Sequence, residues 1–198
     1  MPHACWATGV WVLWLCCMLV LPFVARGQAL TPAPLDVAHL AAPATLAPHL
    51  AVLRDPSQQL TLDDVTAPDV AAEFVPAAAG EPNFGLTTDA AWARVTLTNS
   101  GRAPGEYVLR LDLPGASYVD FYALSATGDT LRTIHTGARL PFANRPLPDH
   151  VFAFPLELGS GETQTYYLRV ATDFALRLPL TLWPAAVYSG EIAQEALA

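Results

Sequence analysis

The side chains best suited to chemistry in this chain recur at alternate positions: Trp92 and Arg94, Asp120 and Tyr122, Tyr167 and Arg169. Two-residue spacing puts each pair on one face of an extended strand. Rings that stack on the apolar face of a sugar, beside carboxylates and guanidinium groups that bond its hydroxyls, are the components of a carbohydrate or small polar ligand site. The same side chains also serve as ordinary cross-strand partners on a sheet. Trp92 is equally a core anchor if a loop covers its face. Asn144 and Arg145, after Pro141–Phe142, add a loop arginine able to hold a carboxylate or sugar in a forked geometry. Its structural alternative is to bond loop carbonyls or Asp149.

Catalytic chemistry finds little support. Asp112 and Asp120 would form a glycosidase pair only with burial and a defined separation, and surface solvation is their expected role. His39, His49, His135 and His150 lack metal-ligand spacing. No Gly-rich phosphate loop, nucleophile elbow or zinc signature is present. The expectation is a domain that is not an enzyme and uses no metal or cofactor. The formal net charge of −8 argues against nucleic acid as a partner, which needs a basic stripe to neutralise phosphates. All ten basic residues are arginine and none forms a run, so electrostatic binding to a membrane surface is unsupported too.

The elements that must position these residues are short strands. From Ala91 onward, alternating runs are separated by turns at Asn99–Gly101, Thr127–Asp129 and Gly159–Gly161. Val95 and Leu97 oppose Trp92 and Arg94; Tyr107, Leu109, Leu111 and Leu113 form a second apolar row. Val119 and Phe121 are core, with Tyr118, Asp120 and Tyr122 outward. Phe152, Phe154, Leu156 and Leu158 form a further row, as do Tyr166, Leu168 and Val170, and finally Leu176 to Leu182 at alternate positions. His49–Pro56 reads as a strand, Leu60–Val65 as a strand or a capped helical turn, and Pro76–Asn83 as a loop. Six or seven such strands without an intervening helical pattern imply an all-β fold, an antiparallel β-sandwich or jelly roll.

The first 27 residues have the shape of a secretory signal: Gly9–Val24 is apolar and uncharged, and small residues at Gly27 and Ala29 follow as cleavage points. Cys5, Cys16 and Cys17 all fall inside it, so the exported domain has neither disulfide nor thiolate site. Residues 28–48 hold four prolines and many alanines and read as a linker or edge segment. The sandwich is expected over 49–189, with a juxtamembrane-like tail over 190–198.

Across 49–189 a series of landmarks appears in order: Leu53-Arg54-Asp55-Pro56, Leu60–Val65, Asn83-Phe84-Gly85, Trp92–Asn99, Val119–Tyr122, Pro141–Arg145, Phe152–Leu156 and Tyr166–Val170. In this order they resemble the type 2 extracellular domain of bacterial seven-transmembrane receptors with diverse intracellular signalling modules. The resemblance implies a carbohydrate-binding-module-like sandwich outside the membrane. It also implies membrane helices downstream and a cytoplasmic output such as a diguanylate cyclase or histidine kinase. The sequence ends at Ala198 before any spanning segment, which fits a receptor fragment or a free-standing periplasmic form. The expected function is a periplasmic sensory domain for a small molecule, carbohydrate among the candidates. The alternative is a module that docks a periplasmic protein or a second copy as a homodimer.

Overall fold

The computed structural model describes residues 31–77 and 80–195; the export signal expected over residues 1–27 lies outside them. The chain forms β1 (Leu35–Asp36), β2 (Ala44–Thr45), β3 (Leu50–Asp55), α1 (Leu62–Thr66), α2 (Pro68–Ala71), β4 (Val75–Pro76), β5 (Asn83–Leu86) and β6 (Ala90–Thr98). It continues through β7 (Gly105–Leu111), β8 (Tyr118–Ser125), β9 (Thr130–Thr136), β10 (Phe152–Leu158) and β11 (Thr163–Ala171). β12 (Ala175–Arg177), β13 (Leu180–Pro184) and α3 (Ala185–Glu195) complete it.

Two sheets pack face to face. The larger runs β4–β3–β6–β11–β8–β9, antiparallel, with β1 added in parallel to the end of β6. The smaller runs β10–β7–β13–β2, and β5 pairs with β12 as a separate ribbon. The expected antiparallel sandwich is therefore the observed fold. Its two ends are distinct. Asn99 and Gly159–Gly161 turn the chain at one; the loops around Ser117, Thr172 and Gly137–Val151 gather at the other, called here the Ser117 end.

The rows of alternating apolar residues meet between the sheets. Phe121 of the larger sheet stacks on Phe154 of the smaller at 4.6 Å between ring centroids, with Tyr166 beside it at 5.8 Å. Leu109, Leu111, Leu158, Leu168 and Leu182 fill the rest, fully buried. Each such side chain contributes about 1.5–3 kcal/mol of apolar burial. The buried Tyr166 hydroxyl donates to Gln164 Oε1 at 2.8 Å, and burial pushes its phenol pKa up.

Both outer faces carry a cover. Over the larger sheet, buried Asp55 accepts from the Ser57 hydroxyl and the Leu60 N–H and turns the chain back after β3. Thr61 and Asp64 then exchange bonds as a capping box that starts α1. The chain from α1 to β4 drops Val65 and Phe74 onto Leu53, Trp92 and Tyr167 as a second small core. Over the smaller sheet, α3 lays Tyr188 against Val108 and Ala153, and Ile192 packs at the margin with Leu147. Pro184 pairs with Tyr107 and Glu191 reaches Arg110 at 4.0 Å, so α3 climbs from the Asn99 end toward the Ser117 end.

Four stretches depart from the sequence reading. β9 was not expected as a strand: at the sheet edge only Ile134 packs on the core, so its apolar signal is weak. The run Leu176–Leu182 divides into β12 and β13 because Pro179 has no N–H for a ladder. Tyr188–Glu191, expected as the approach to a tail, are helical, and residues 35–49 supply β1, β2 and a 3₁₀ turn with Val37 and Leu46 buried.

The contact that pins α3 is a buried hydrogen bond from the Tyr188 hydroxyl to the Asp149 carboxylate. Burial pushes the Asp149 carboxyl up, but the Tyr188 hydroxyl, the Val151 N–H and nearby His150 outweigh it and hold the group below the ordinary carboxylate value. A depressed folded pKa adds stability that is present above the unfolded value and lost as pH falls through the folded one. Tyr188→Phe is expected to lose about 1.5–3 kcal/mol at pH 7. Urea denaturation from pH 7 to pH 3 should show that deficit narrowing once the carboxyl protonates; a deficit that does not change with pH would contradict the assignment.

Candidate functional site

Register brings the six strand residues singled out from the sequence onto one face. Trp92, Arg169, Asp120 and His135 form one cross-strand row over β6, β11, β8 and β9. Arg94, Tyr167, Tyr122 and Thr133 form the next. The cover then divides them. Trp92 and Tyr167 are buried beneath it, and Phe74 meets Tyr167 edge-on at 6.1 Å. Arg94 holds the cover from below, its guanidinium 4.5 Å from the Phe74 ring centroid and within 3.5 Å of the Ala71 carbonyl. Trp92 and Tyr167 are thus buried anchors of the fold, and Arg94 is half-buried beneath the cover. For Trp92 this is the core-anchor alternative.

Arg145 likewise turns inward. Its Nη1 donates to the carbonyls of Asp149 at 2.5 Å and Val151 at 3.1 Å. Its guanidinium sits over the rings of Phe152 (4.4 Å) and Phe142 (5.1 Å). A planar cation over two rings, with one amino group bonded to two carbonyls, staples the loop. Asn144 donates to the His135 carbonyl at 3.4 Å.

Asp120, Tyr122 and Arg169 remain at the margin of the cover. Asp120 sits between two side chains: Arg169 Nη1 lies 3.4 Å from one carboxylate oxygen and His135 Nδ1 2.7 Å from the other. Arg169 also donates to the Gln58 carbonyl at 2.8 Å, which ties the row to the cover. Gln58 itself has φ of +57°, a conformation that costs a non-glycine residue about 1–2 kcal/mol. Tyr122 stacks on Trp92 at 5.9 Å and meets His135 edge-on at 6.2 Å. Burial raises its phenol, the Asp120 carboxylate raises it further, and Arg169 partly offsets both.

A hollow of about 260 Å³ continues this row at the Ser117 end, lined among others by Gln58, Thr87, Ser117, Tyr118, Thr172 and Asp173. Tyr118 stands two residues before Asp120 on the same strand face, and Ala171 two after Arg169. The hollow and the charged row are therefore one surface. Asp173 accepts from Arg139 and from the Ser117 hydroxyl, and those bonds hold its carboxyl below the ordinary value. The arrangement offers one half-exposed ring, several hydroxyls, an amide and both signs of charge. A larger hollow of about 780 Å³ at the Asn99 end is lined by Glu106, Glu157, Glu162, Gln164 and Leu158 with prolines and small residues, and it offers no aromatic ring. Among the described residues no group of His, Cys, Asp and Glu converges to hold a metal.

Sequence reasoning missed Gln58, His135 and Asp173 as site residues. His135 lies on the unread edge strand, and Gln58 reaches the row only through the fold of the cover.

Residues 47–184 match the family model described as 7TMR-DISM extracellular 2. No curated protein matches the chain. Similar solved structures include a family GH115 4-O-methyl-α-glucuronidase with specificity for decorated arabinogalactans, at 12% identity and a TM-score of 0.31. That match covers 55% of this chain and 16% of the enzyme, a small part of its length. Another is the module CsCBM6-3 from Clostridium stercorarium in complex with cellobiose, at 12% identity, TM-score 0.23, covering 54% of this chain and 83% of that one.

The division between anchors and accessible residues has a direct test in stability. Trp92→Ala is expected to cost about 3–5 kcal/mol, the loss for truncating a fully buried aromatic. His135→Ala, at an exposed side chain hydrogen-bonded to Asp120, should stay within about 0.5 kcal/mol. Urea unfolding of both variants at pH 7 checks this, and similar losses at the two positions would refute it.

Proposed function

The chain belongs to the 7TMR-DISM extracellular 2 family, and from that membership we propose that it is a ligand-binding sensory domain held on the outer side of a membrane. The observation that carries the binding half of this reading is the hollow at Tyr118 and its continuity with the Asp120–Arg169 row. Tyr118 offers a ring for the apolar face of a sugar. Ser117, Thr87 and Thr172 offer hydroxyls, Gln58 an amide, and Asp120 with Arg169 a donor and an acceptor of fixed geometry. That mixture suits a small polyhydroxylated or otherwise polar molecule. The volume lies below the roughly 300–1,000 Å³ of drug-sized sites, so it suits a single sugar-sized unit.

A non-catalytic role agrees with the placement of the carboxylates. Asp112 pairs with Arg110 on the outer face of the smaller sheet, whereas Asp120 lies on the outer face of the larger one. A glycosidase pair needs both carboxylates on one substrate bond. Occupancy would then be transmitted through membrane helices to a cytoplasmic output module, which requires that the ligand bind two receptor states with different affinity.

Thermal denaturation against a panel of monosaccharides, disaccharides and small organic acids tests the proposal. A true ligand at a hundredfold excess over its Kd should add about 2.7 kcal/mol and raise Tm by roughly 5–10 °C. Tyr118→Ala and Arg169→Gln should each abolish most of that rise. If no compound shifts Tm while a periplasmic protein binds the domain tightly, the small-molecule reading fails in favour of protein docking.

A further inference from the structure

We propose that the Ser117 end of the sandwich rests on a lipid bilayer, with Leu86, Phe142 and Phe174 inserted at its interface. The inference depends on the extracellular placement of the family and not on any small-molecule ligand. Single exposed apolar side chains are ordinary on soluble domains. Here the most exposed of them share one end: Leu86 is 86% exposed, Phe174 66% and Phe142 58%. Leu86 is paired with Ala175 across the β5–β12 ribbon, which brings Phe174 beside it. Phe142 heads the 3₁₀ turn of the segment between β9 and β10, at the same end. The remaining exposed large aliphatics, Val75, Leu131 and Val187, lie on β4, β9 and α3, away from this tip.

Charge on the segments that carry Leu86 and Phe174 is balanced pair by pair. Arg54 meets Asp89 at 2.5 Å, Arg139 meets Asp173 at 2.6 Å, and Arg177 meets Glu81 at 3.3 Å. In a chain of net charge −8, the carboxylates nearest Leu86 and Phe174 are thus neutralised by arginines, which lessens their repulsion from an anionic lipid surface. Arginines with flexible stems beside apolar tips also suit an interface, where the stem lies in the apolar zone and the head in water.

Direction points the same way. α3 climbs along β7 toward the Ser117 end, so the chain's last described helix and the apolar tips face one side. Leu86 and Phe174 form one exposed pair, and Phe142 is a second projection on a different segment. A protein partner would need a matching pocket for each, whereas a fluid interface accepts separate apolar projections. Tethering in a receptor would raise the effective concentration at the surface, so the contact need not be strong on its own.

Hydroxyl-radical footprinting of the full chain, with and without vesicles of phosphatidylethanolamine and phosphatidylglycerol, tests this residue by residue. Oxidation of Leu86, Phe142 and Phe174 should fall several-fold when vesicles are present, while Val75 and Leu131 react as before. In the double variant Leu86→Ser, Phe174→Ser, with an unchanged Tm, Phe142 should regain its oxidation rate. Equal oxidation of the tip residues with and without vesicles would overturn the proposal. So would protection that appears in concentrated protein without lipid, which would make the tip a contact between copies. No ligand enters the measurement, so its outcome is independent of whether the hollow binds a small molecule.

Discussion

β11 lies in the middle of the larger sheet, and its register with β6 on one side and β8 on the other decides what each face of the sandwich contains. Tyr166 faces Val95 and Ala123, and Leu168 faces Ala93 and Phe121. A slip of one residue would turn Tyr166, Leu168 and Val170 to the outside and drive Arg169 into the core. An unpaired buried guanidinium is costly enough to forbid that arrangement. On the outer face, hydroxyl pairs add a second lock: Thr96 with Thr165 at 3.1 Å and Thr98 with Thr163 at 2.9 Å. The charged row of the candidate site is a consequence of the same register. Arg169 opposes Asp120 because Leu168 must oppose Phe121.

That outer face is then shared between structure and surface. Leu53, Trp92 and Tyr167 are too apolar to leave in water, and the chain between β3 and β4 covers them with Val65 and Phe74. The cover stops where Arg169 donates to the Gln58 carbonyl. Beyond that seam the sheet carries Asp120, His135 and Tyr118, and the hollow opens where cover, sheet and the loop after β11 meet. A flat aromatic platform across the whole sheet is thereby excluded. What remains is a small mixed surface at one corner.

How much of this the sequence disclosed depends on how local each determinant is. Strands with three or four large alternating residues, such as β7, β10 and β11, were legible because one face alone specifies them. β9 was not, since an edge strand buries almost nothing. α3 was not, since Tyr188 and Ile192 are too few to establish a helical period, and Gly190 weakens it. The outward residue types were readable, but their burial was not. Trp92 and Tyr167 are inside because of Val65 and Phe74, tens of residues away in the chain, and no alternation within β6 or β11 records that. Arg145 shows the same limit. Its type allowed a ligand clamp or a staple, and the convergence of Phe142, Phe152 and two carbonyls that favours a staple is not written in the local sequence.

The segment from Gly137 to Val151 ties the hollow to α3. At its start, Gly137 has φ of +146°, and a Cβ there would lie 2.2 Å from the Ser117 carbonyl oxygen. The Ala138 and Arg139 amides donate to the carbonyls of Ala116 and Ser117, and the Arg139 guanidinium grips Asp173. At its end, Asp149 holds Tyr188 of α3. Arg145 stiffens the stretch between by binding two carbonyls and stacking on two rings. Close-packed contacts of this kind do not deform smoothly. A displacement of Ser117 or Asp173 in the wall of the hollow must therefore either strain the contacts at Gly137 and Arg139 or carry the segment with it, and Asp149 moves only by dragging Tyr188 or breaking its bond. Any influence of the hollow on α3 has this short covalent and hydrogen-bonded route available to it, and its size is set by how differently an occupant binds the two arrangements of that segment.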